Sequence, residues 1–142
     1  MLLNAPPLAE SWFNHSNAVR WRTTLSARLR EIVIVRIGHL AQCDYVLRQH
    51  VPSLALADGV SMEECNALAD WRGSQFFDAR ERAALAYADA VTRDIAVPDE
   101  VFAPVRHHFD DRQAVELTVL IASYNMNARV LRALELDLEP VA

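Results

Sequence analysis

Three side chains capable of acid–base or thiol chemistry lie close together in the first third of the chain: Glu31, Cys43 and His50. Helical residues three, four or seven positions apart share a face, so Cys43, Val46 and His50 are expected on one side of a helix. Glu31 precedes His50 by nineteen positions and can reach it only if the chain turns near residues 38–42. A thiol and an imidazole that face each other are parts of a proton relay or a thiol-redox site. We therefore expect the three side chains to converge on one pocket.

The elements that would position these side chains are helices. Apolar residues recur at helical spacing through most of the chain, and no alternating strand pattern is present. The β-branched run at residues 32–37 could be a strand by itself, but its helical flanks and the lack of a partner strand favour a helix. The pattern predicts an all-α domain of about six to seven helices, at residues 9–21, 26–40, 43–58, 61–71, 78–93, 98–108 and 111–137.

Local signals mark several of the predicted helix ends. A serine, threonine or aspartate precedes many of the helices, and in two cases a glutamate follows three residues later, as in a capping box. The candidate caps are Thr24 or Ser26, Ser61 with Glu64, Asp78 with Glu81, and Asp110. Pro52 lies well inside the third predicted helix and should bend it, and Gly59 is placed to end it.

Composition excludes several classes of function. The 142 residues have a net charge of −5, which disfavours binding to nucleic acid or to anionic membranes. All 14 basic residues are arginine, so a lysine Schiff base and a P-loop are both excluded. Only three glycines occur and none forms a nucleotide-binding loop. A chain of this length predicts a single domain, residues 1–142.

The same sequence indicates where the protein works. The amino-terminal segment has no basic region before its apolar residues and contains two prolines, so it is not expected to be a signal peptide. No apolar run approaches the length of a membrane span. Two cysteines without a leader are typical of cytosolic thiols, and we expect a cytoplasmic protein. The last predicted helix is apolar on several sides, which favours a homo-oligomer.

The ordered set of short motifs resembles the carboxymuconolactone decarboxylase family, which includes the alkyl hydroperoxidase D-like proteins. The resemblance covers about residues 24–135 and leaves residues 1–23 as a helical extension at the amino terminus. It is carried by Leu29-Arg30-Glu31, Cys43-Asp44-Tyr45, His50, residues 57–61, Glu81 with residues 84–88, Phe109-Asp110, residues 115–117, and Tyr124-Asn125 with Arg129.

The resemblance implies a fold and a set of site residues. Redox members of the family carry a glutamate, two cysteines three positions apart and a histidine, which match Glu31, Cys43 and His50 here. Val46 stands where the second cysteine would be, so the local disulfide cycle is absent. The lactone decarboxylases tend to have a glutamate at this position, which Val46 does not match either. The resemblance therefore implies the family fold more securely than either reaction.

Other residues have less specific expectations. Tyr45, Val46, Tyr124 and Asn125 are candidates to contact a substrate, although an aromatic side chain more often packs in the core. Glu31 could be a general acid or base, or it could form a structural salt bridge to Arg36 or Arg129. Cys65 has no acid or base at a helpful spacing and is expected to be structural, or to act as a resolving thiol.

Three functions stay open at this point. The first is a small-molecule enzyme that moves protons between Glu31, His50 and a carbonyl or carboxylate substrate. The second is a thiol antioxidant in which Cys43 is oxidised to a sulfenic acid. The third is a helical oligomer that binds a ligand without catalysis. We expect no cofactor, and no metal because the histidines lack ligand spacing.

Overall fold

In a computed structural model of the protein, residues 2–136 are described. They form seven α-helices and no strand, which confirms the predicted all-α class. The α-helices are α1 (Pro6–Trp21), α2 (Ala27–Leu40), α3 (Asp44–Gln49), α4 (Met62–Ala67), α5 (Ala79–Asp94), α6 (Asp99–His108) and α7 (Asp111–Ala133). None of these helices is both long enough and apolar enough to cross a membrane.

Helix α2 is the centre of the fold. Every residue from Leu29 to Gly38 is buried, so this helix is covered on all sides. Val33, Ile34 and Ile37 pack with α5, α6 and α7 in one apolar cluster. Ile32 and Val35 pack in a second cluster with residues of α4, of α5 and of the 3-10 segment that follows α4, Leu68–Gly73. Burial on both sides explains why a β-branched run is helical here, since packing outweighs the modest cost in helix propensity.

The predicted caps are confirmed. The Ser26 side chain accepts a hydrogen bond from the Leu29 amide. Ser61 with Glu64 and Asp78 with Glu81 both form complete capping boxes. Asp110 accepts a hydrogen bond from the Gln113 amide at 2.8 Å. These interactions join residues three positions apart, which is why the sequence alone could predict them.

Some predicted boundaries need correction. The first helix begins at Pro6 rather than at residue 9, because proline is well tolerated in the first turn. The predicted helix 61–71 divides into α4 and a 3-10 segment, Leu68–Gly73, at whose middle Asp70 has non-helical dihedral angles. Pro98 is the N-cap of α6 rather than its first residue. Residue 137, the predicted end of the last helix, lies outside the described residues.

A buried carboxylate joins α2 to α5. Asp89 on α5 accepts two hydrogen bonds from Arg36 on α2, at 2.6 and 3.1 Å, and both side chains are almost fully buried. The indole of Trp71 donates to the same carboxylate at 3.3 Å. Arg36 also donates to the carbonyl oxygens of Leu68 and Ala69. This bidentate pair therefore fixes the rotation of α2, and with it the direction of every side chain on that helix.

The chain reverses between α2 and α3 in a Schellman motif. The Cys43 amide donates to the Gly38 carbonyl at 3.0 Å, and the Gln42 amide donates to the His39 carbonyl at 3.2 Å. Gln42 has the positive φ of 50° that this motif requires. A Cβ atom on Gly38 would lie 2.8 Å from the Leu47 Cδ2 atom, so the glycine permits a close approach of α3 to α2. The predicted turn at residues 38–42 is therefore present.

The helix does not continue regularly past α3. From His50 to Ala55 the backbone is π-helical, with Pro52 inside the segment. Proline has no amide hydrogen and its ring collides with the carbonyl four residues earlier, so a wider helical turn accommodates it. Short π-helical segments are frequent at functional sites. The bend predicted at Pro52 is therefore a π-helical segment, and His50 is the first residue of that segment.

Candidate functional site

The structure brings Glu31 and His50 into direct contact. The His50 Nδ1 atom lies 2.7 Å from the Glu31 Oε2 atom. Glu31 is 1% exposed and His50 is 6% exposed, so water does not compete for this bond. Glu31 comes from the middle of α2, and His50 from the start of the π-helical segment after the reversal at Gly38. The two residues therefore form a buried carboxylate–imidazole dyad.

The hydrogen bond sets the tautomer of His50. An ionised carboxylate has only acceptor atoms, so the hydrogen must lie on the His50 Nδ1 atom. In the neutral imidazole, the lone pair is then on the Nε2 atom, on the far side of the ring from Glu31. This arrangement presents Nε2 as a proton acceptor and supports the imidazolium that forms when Nε2 takes a proton.

The second partner of Glu31 is a residue that sequence analysis missed. Arg20, near the end of α1, donates from Nη2 to the Glu31 Oε1 atom at 3.0 Å. The alternative partners considered from sequence are wrong: Arg36 pairs with Asp89, and Arg129 donates to Asn125. The available sequence signal was the apolar Val19 next to Arg20. The amphipathic pattern of α1 is weak, however, and did not indicate which face of that helix is buried.

Tyr124 of α7 completes the surroundings of His50. Its ring packs edge-on against the imidazole with the ring centroids 5.5 Å apart. Its hydroxyl lies 3.5 Å from the His50 Nε2 atom, which is longer than a normal hydrogen bond. Burial raises the pKa of Tyr124 to about 12, and the nearby Glu31 charge adds to the rise while Arg20 opposes it. The phenol is therefore protonated at neutral pH and can donate a hydrogen bond.

The raised pKa of Tyr124 predicts a loss of stability in alkali. Between pH 10 and about 12 the unfolded chain loses the phenol proton while the folded protein keeps it. The stabilisation is present below pH 10 and is lost as pH rises through about 12. Each pH unit in this window is worth at most about 1.4 kcal/mol. Urea unfolding of wild type and Tyr124→Phe at pH 9 and pH 11 should show a smaller alkaline loss in the variant; equal losses would contradict the assignment.

Cys43 does not join the dyad. It is 1% exposed and packs in the same apolar cluster as Val46 and Tyr124. Within residues 2–136 it makes no hydrogen bond to Glu31 or His50, and instead lies in the wall of a pocket of about 360 Å³ that neither of them lines. Its backbone belongs to the Schellman turn, with φ −99° and ψ 91°, so the helical spacing rule does not apply to it. The structure therefore brings Glu31 and His50 into contact, whereas a pocket shared by all three side chains stays a prediction.

The candidate substrate-contacting residues lie in different places. Tyr45 lines the same pocket as Cys43, together with Arg48 and Arg132. Val46 is buried in the apolar core. Asn125 turns away from His50, donates to Thr92 at 2.8 Å and faces a separate pocket. Among these candidates, Tyr124 packs its ring against His50, and the Val46 carbonyl accepts a hydrogen bond from the His50 amide.

Cys65 belongs to the opposite side of α2. It is buried in the second apolar cluster, and both cysteines are free thiols. Burial raises the pKa of the Cys65 thiol, with the charges of Glu64 and Glu31 adding to the effect. Both effects disfavour a thiolate at Cys65. Among the described residues, no cluster of three or more His, Cys, Asp or Glu side chains is arranged to hold a metal ion.

This helical fold and its buried dyad can be compared with known proteins. Residues 6–90 match the model of the carboxymuconolactone decarboxylase family. The match covers more than half of the chain and includes α1 to α4, most of α5, and all of Glu31, Cys43 and His50. The protein belongs to the carboxymuconolactone decarboxylase family.

Two relatives are similar along most of this chain. The uncharacterized protein YnjA of Escherichia coli is 33% identical over 119 residues, which is 82% of this chain and 64% of YnjA. The uncharacterized protein YdfG of Bacillus subtilis is 27% identical over 111 residues, which is 77% of this chain and 75% of YdfG. This chain thus spans less than two thirds of the length of YnjA.

Solved structures share the fold. A protein of unknown function from Agrobacterium tumefaciens, assigned provisionally to antioxidant defence as an AhpD, superposes with a TM-score of 0.91. It is 27% identical, with 99% of this chain and 96% of that chain covered. The debrominase Bmp8 superposes with a TM-score of 0.84 at 22% identity, with 98% of this chain and 74% of that chain covered. The AhpD-like fold is therefore shown, and a shared fold does not by itself decide the reaction.

Proposed function

We propose that this protein is a small-molecule enzyme in which the Glu31–His50 dyad transfers protons to and from a carbonyl or carboxylate substrate. The observation that carries the proposal is the buried contact of 2.7 Å between His50 Nδ1 and Glu31 Oε2. Arg20 holds the other carboxylate oxygen of Glu31, so the acid cannot rotate away from the imidazole. Because Cys43 is outside this contact, the proposal requires no thiol chemistry.

The proposed chemistry follows from the tautomer. The His50 Nε2 lone pair takes the proton of the substrate's carboxylic acid group, and Glu31 stabilises the resulting imidazolium. In a decarboxylation, the bond between the substrate carbon and its carboxylate breaks, carbon dioxide leaves, and the electron pair remains as an enolate. The imidazolium then returns its proton to that carbon. Tyr124, 3.5 Å from Nε2, is close enough to donate a hydrogen bond to the developing oxygen charge after a small movement.

A second candidate is a peroxidase that uses a single thiol. It is favoured by the place of Cys43 in a pocket wall beside Tyr45 and Arg48. The Cys43 sulfur would attack the peroxide, break the oxygen–oxygen bond, release an alcohol and become a sulfenic acid. An external dithiol would then reduce the sulfenic acid and become a disulfide. The observation against this candidate is that the dyad gives Cys43 no hydrogen bond.

One pair of assays separates these candidates. Wild type and Cys43→Ala are each tested with a carboxylated unsaturated lactone, followed by carbon dioxide release, and with an alkyl hydroperoxide plus dithiothreitol. We expect turnover of the lactone, and Cys43→Ala should keep that rate within a few-fold because the thiol makes no hydrogen bond to the dyad within residues 2–136. Cys65→Ala is the matched control, since both cysteines are 1% exposed.

The opposite pattern would contradict the proposal. If only the hydroperoxide is consumed, and Cys43→Ala alone abolishes that reaction, the protein is a thiol peroxidase. If neither compound is consumed by the folded wild-type protein, the dyad does not catalyse this class of reaction.

The expected homo-oligomer is still a proposal. It is supported by large apolar side chains exposed on two neighbouring helices, α1 and α7. On α1 these are Leu8, Phe13 and Trp21, and on α7 they are Val115, Val119 and Met126. Sedimentation equilibrium measures the subunit number, and a purely monomeric protein at micromolar concentration would refute the expectation.

A further inference from the structure

A second pocket, separate from the dyad, is lined by three arginines. It has a volume of about 530 Å³ and lies where the carboxyl ends of α2, α5 and α7 meet. Arg93 of α5 and Arg129 and Arg132 of α7 line it, and none of the other lining residues is acidic. Neither Glu31 nor His50 is in its wall, so this pocket is independent of the proposed function.

Two of these arginines are held in place by polar groups of the fold. Arg129 donates from Nη1 to the Asn125 Oδ1 atom at 2.8 Å, and also to the Asn125 carbonyl. Asn125 is itself fixed, because its amide donates to Thr92 at 2.8 Å and to the Ile121 carbonyl at 3.0 Å. Arg132 donates from Nη1 to the Ala41 carbonyl at 2.6 Å. Each guanidinium is thus oriented through one nitrogen.

The remaining donors of the pocket have no partner within residues 2–136. Arg129 and Arg132 each keep their Nε and Nη2 atoms unbonded. The Arg93 Nη1 atom lies 3.9 Å from the Asp89 Oδ2 atom, which is a long ion pair. Asp89 is already paired with Arg36 at 2.6 Å. The Thr92 oxygen accepts from Asn125, which leaves its hydroxyl hydrogen available. Arginine forks and a hydroxyl are the donors that bind carboxylate and phosphate groups.

Helix ends alone do not explain this much positive charge. Arginine near the carboxyl end of a helix often compensates the exposed carbonyl groups there. Each helix end is equivalent to roughly half a negative charge, so three ends need about 1.5 positive charges. Three guanidinium groups supply twice that amount. The excess of about 1.5 charges leaves the pocket net positive, and a dianion can pair with more of the three guanidinium groups than a monoanion can.

We propose that this pocket binds a small dianion, either a phosphate group or a dicarboxylate, across Arg93, Arg129 and Arg132. Arg129, oriented by Asn125, forms the fixed side of the site, and Arg93 approaches from the neighbouring helix. The Thr92 hydroxyl donates a further hydrogen bond to the bound oxygen atoms.

The test is calorimetric titration of the full-length protein with three probes at matched, low ionic strength: inorganic phosphate, succinate and acetate. We expect saturable binding of phosphate or succinate that is at least about tenfold tighter than binding of acetate. The stronger of the two dianions identifies which class the pocket takes. Added sodium chloride should weaken the binding, since these charges are partly exposed.

Two variants and one control assign the binding to this pocket. Arg129→Gln and Arg93→Gln should each weaken dianion binding by about tenfold or more, because each removes charge-assisted hydrogen bonds. Arg22→Gln makes the same change of net charge at an exposed arginine outside the pocket and should leave binding unchanged. The proposal is overturned if the dianions bind no better than acetate, or if all three variants weaken binding equally.

Discussion

Replacing His50 by glutamine is expected to lower kcat by about 10²–10⁴-fold on whichever substrate the wild-type protein turns over. Glutamine is similar in size and its amide can still donate a hydrogen bond to Glu31 Oε2, so the fold should be kept. It cannot take up a proton, however, and the site loses its base. The measurement is steady-state turnover, with the circular dichroism spectrum and melting temperature as checks on folding.

His39→Gln is the matched control for this experiment. His39 is half-buried, and its Nε2 atom lies 3.1 Å from the Cys65 carbonyl, away from the dyad. The same substitution there should leave kcat within a few-fold of wild type. If His50→Gln keeps wild-type turnover, the role assigned to the dyad is wrong. A further check is Glu31→Gln combined with His50→Gln, which should lose no more activity than His50→Gln alone if the two residues act as a unit.

Replacing Asp89 by alanine is expected to reduce the free energy of unfolding by about 3–5 kcal/mol. Asp89 is the counter-charge of Arg36, and Arg36 is 5% exposed, so the variant leaves a buried positive charge without a carboxylate. The indole of Trp71 loses its acceptor at the same time. A domain of this size has about 5–15 kcal/mol of stability, so the variant should fold but unfold at much lower urea concentration.

The control for this prediction is Asp94→Ala on the same helix. Asp94 is exposed at the carboxyl end of α5, and its removal should change stability by no more than about 0.5 kcal/mol. If Asp89→Ala is as stable as Asp94→Ala, the buried pair does not hold α2 against α5. If Asp89→Ala fails to fold, Asp89→Asn is measured instead. It keeps an acceptor oxygen, so its loss in free energy of unfolding should lie between those of Asp94→Ala and Asp89→Ala.

Much of the helical framework could be predicted because its signals are local. The caps at Ser26, Ser61 and Asp78 each act on an amide three residues away, so the sequence contains both partners. The reversal that brings His50 to Glu31 was also predictable in outline. Its cause is the short break between α2 and α3, and Gly38 in the last turn of α2 allows α3 to pack closely.

The composition of the site was less predictable because its partners are distant in the chain. Arg20 comes from α1 and Tyr124 lies 74 positions after His50, and no spacing rule links either of them to the dyad. Cys43 was expected on the His50 face from helical periodicity. The structure shows no hydrogen bond between them within residues 2–136. Cys43 precedes the helix in extended backbone and His50 begins a π-helical turn, so the regular 3.6-residue period does not connect them.

The sequence by itself determined the helices, their caps and the presence of an acid and a base on either side of one turn. These depend on interactions between residues a few positions apart, which local patterns record. Tertiary structure alone decided that Arg20 rather than Arg36 pairs with Glu31, and that Cys43 lines a pocket in whose wall neither Glu31 nor His50 lies. It also gathered Arg93, Arg129 and Arg132 around one cavity. Such contacts depend on how buried helices rotate and pack against each other, which is set by the whole core and not by any single segment.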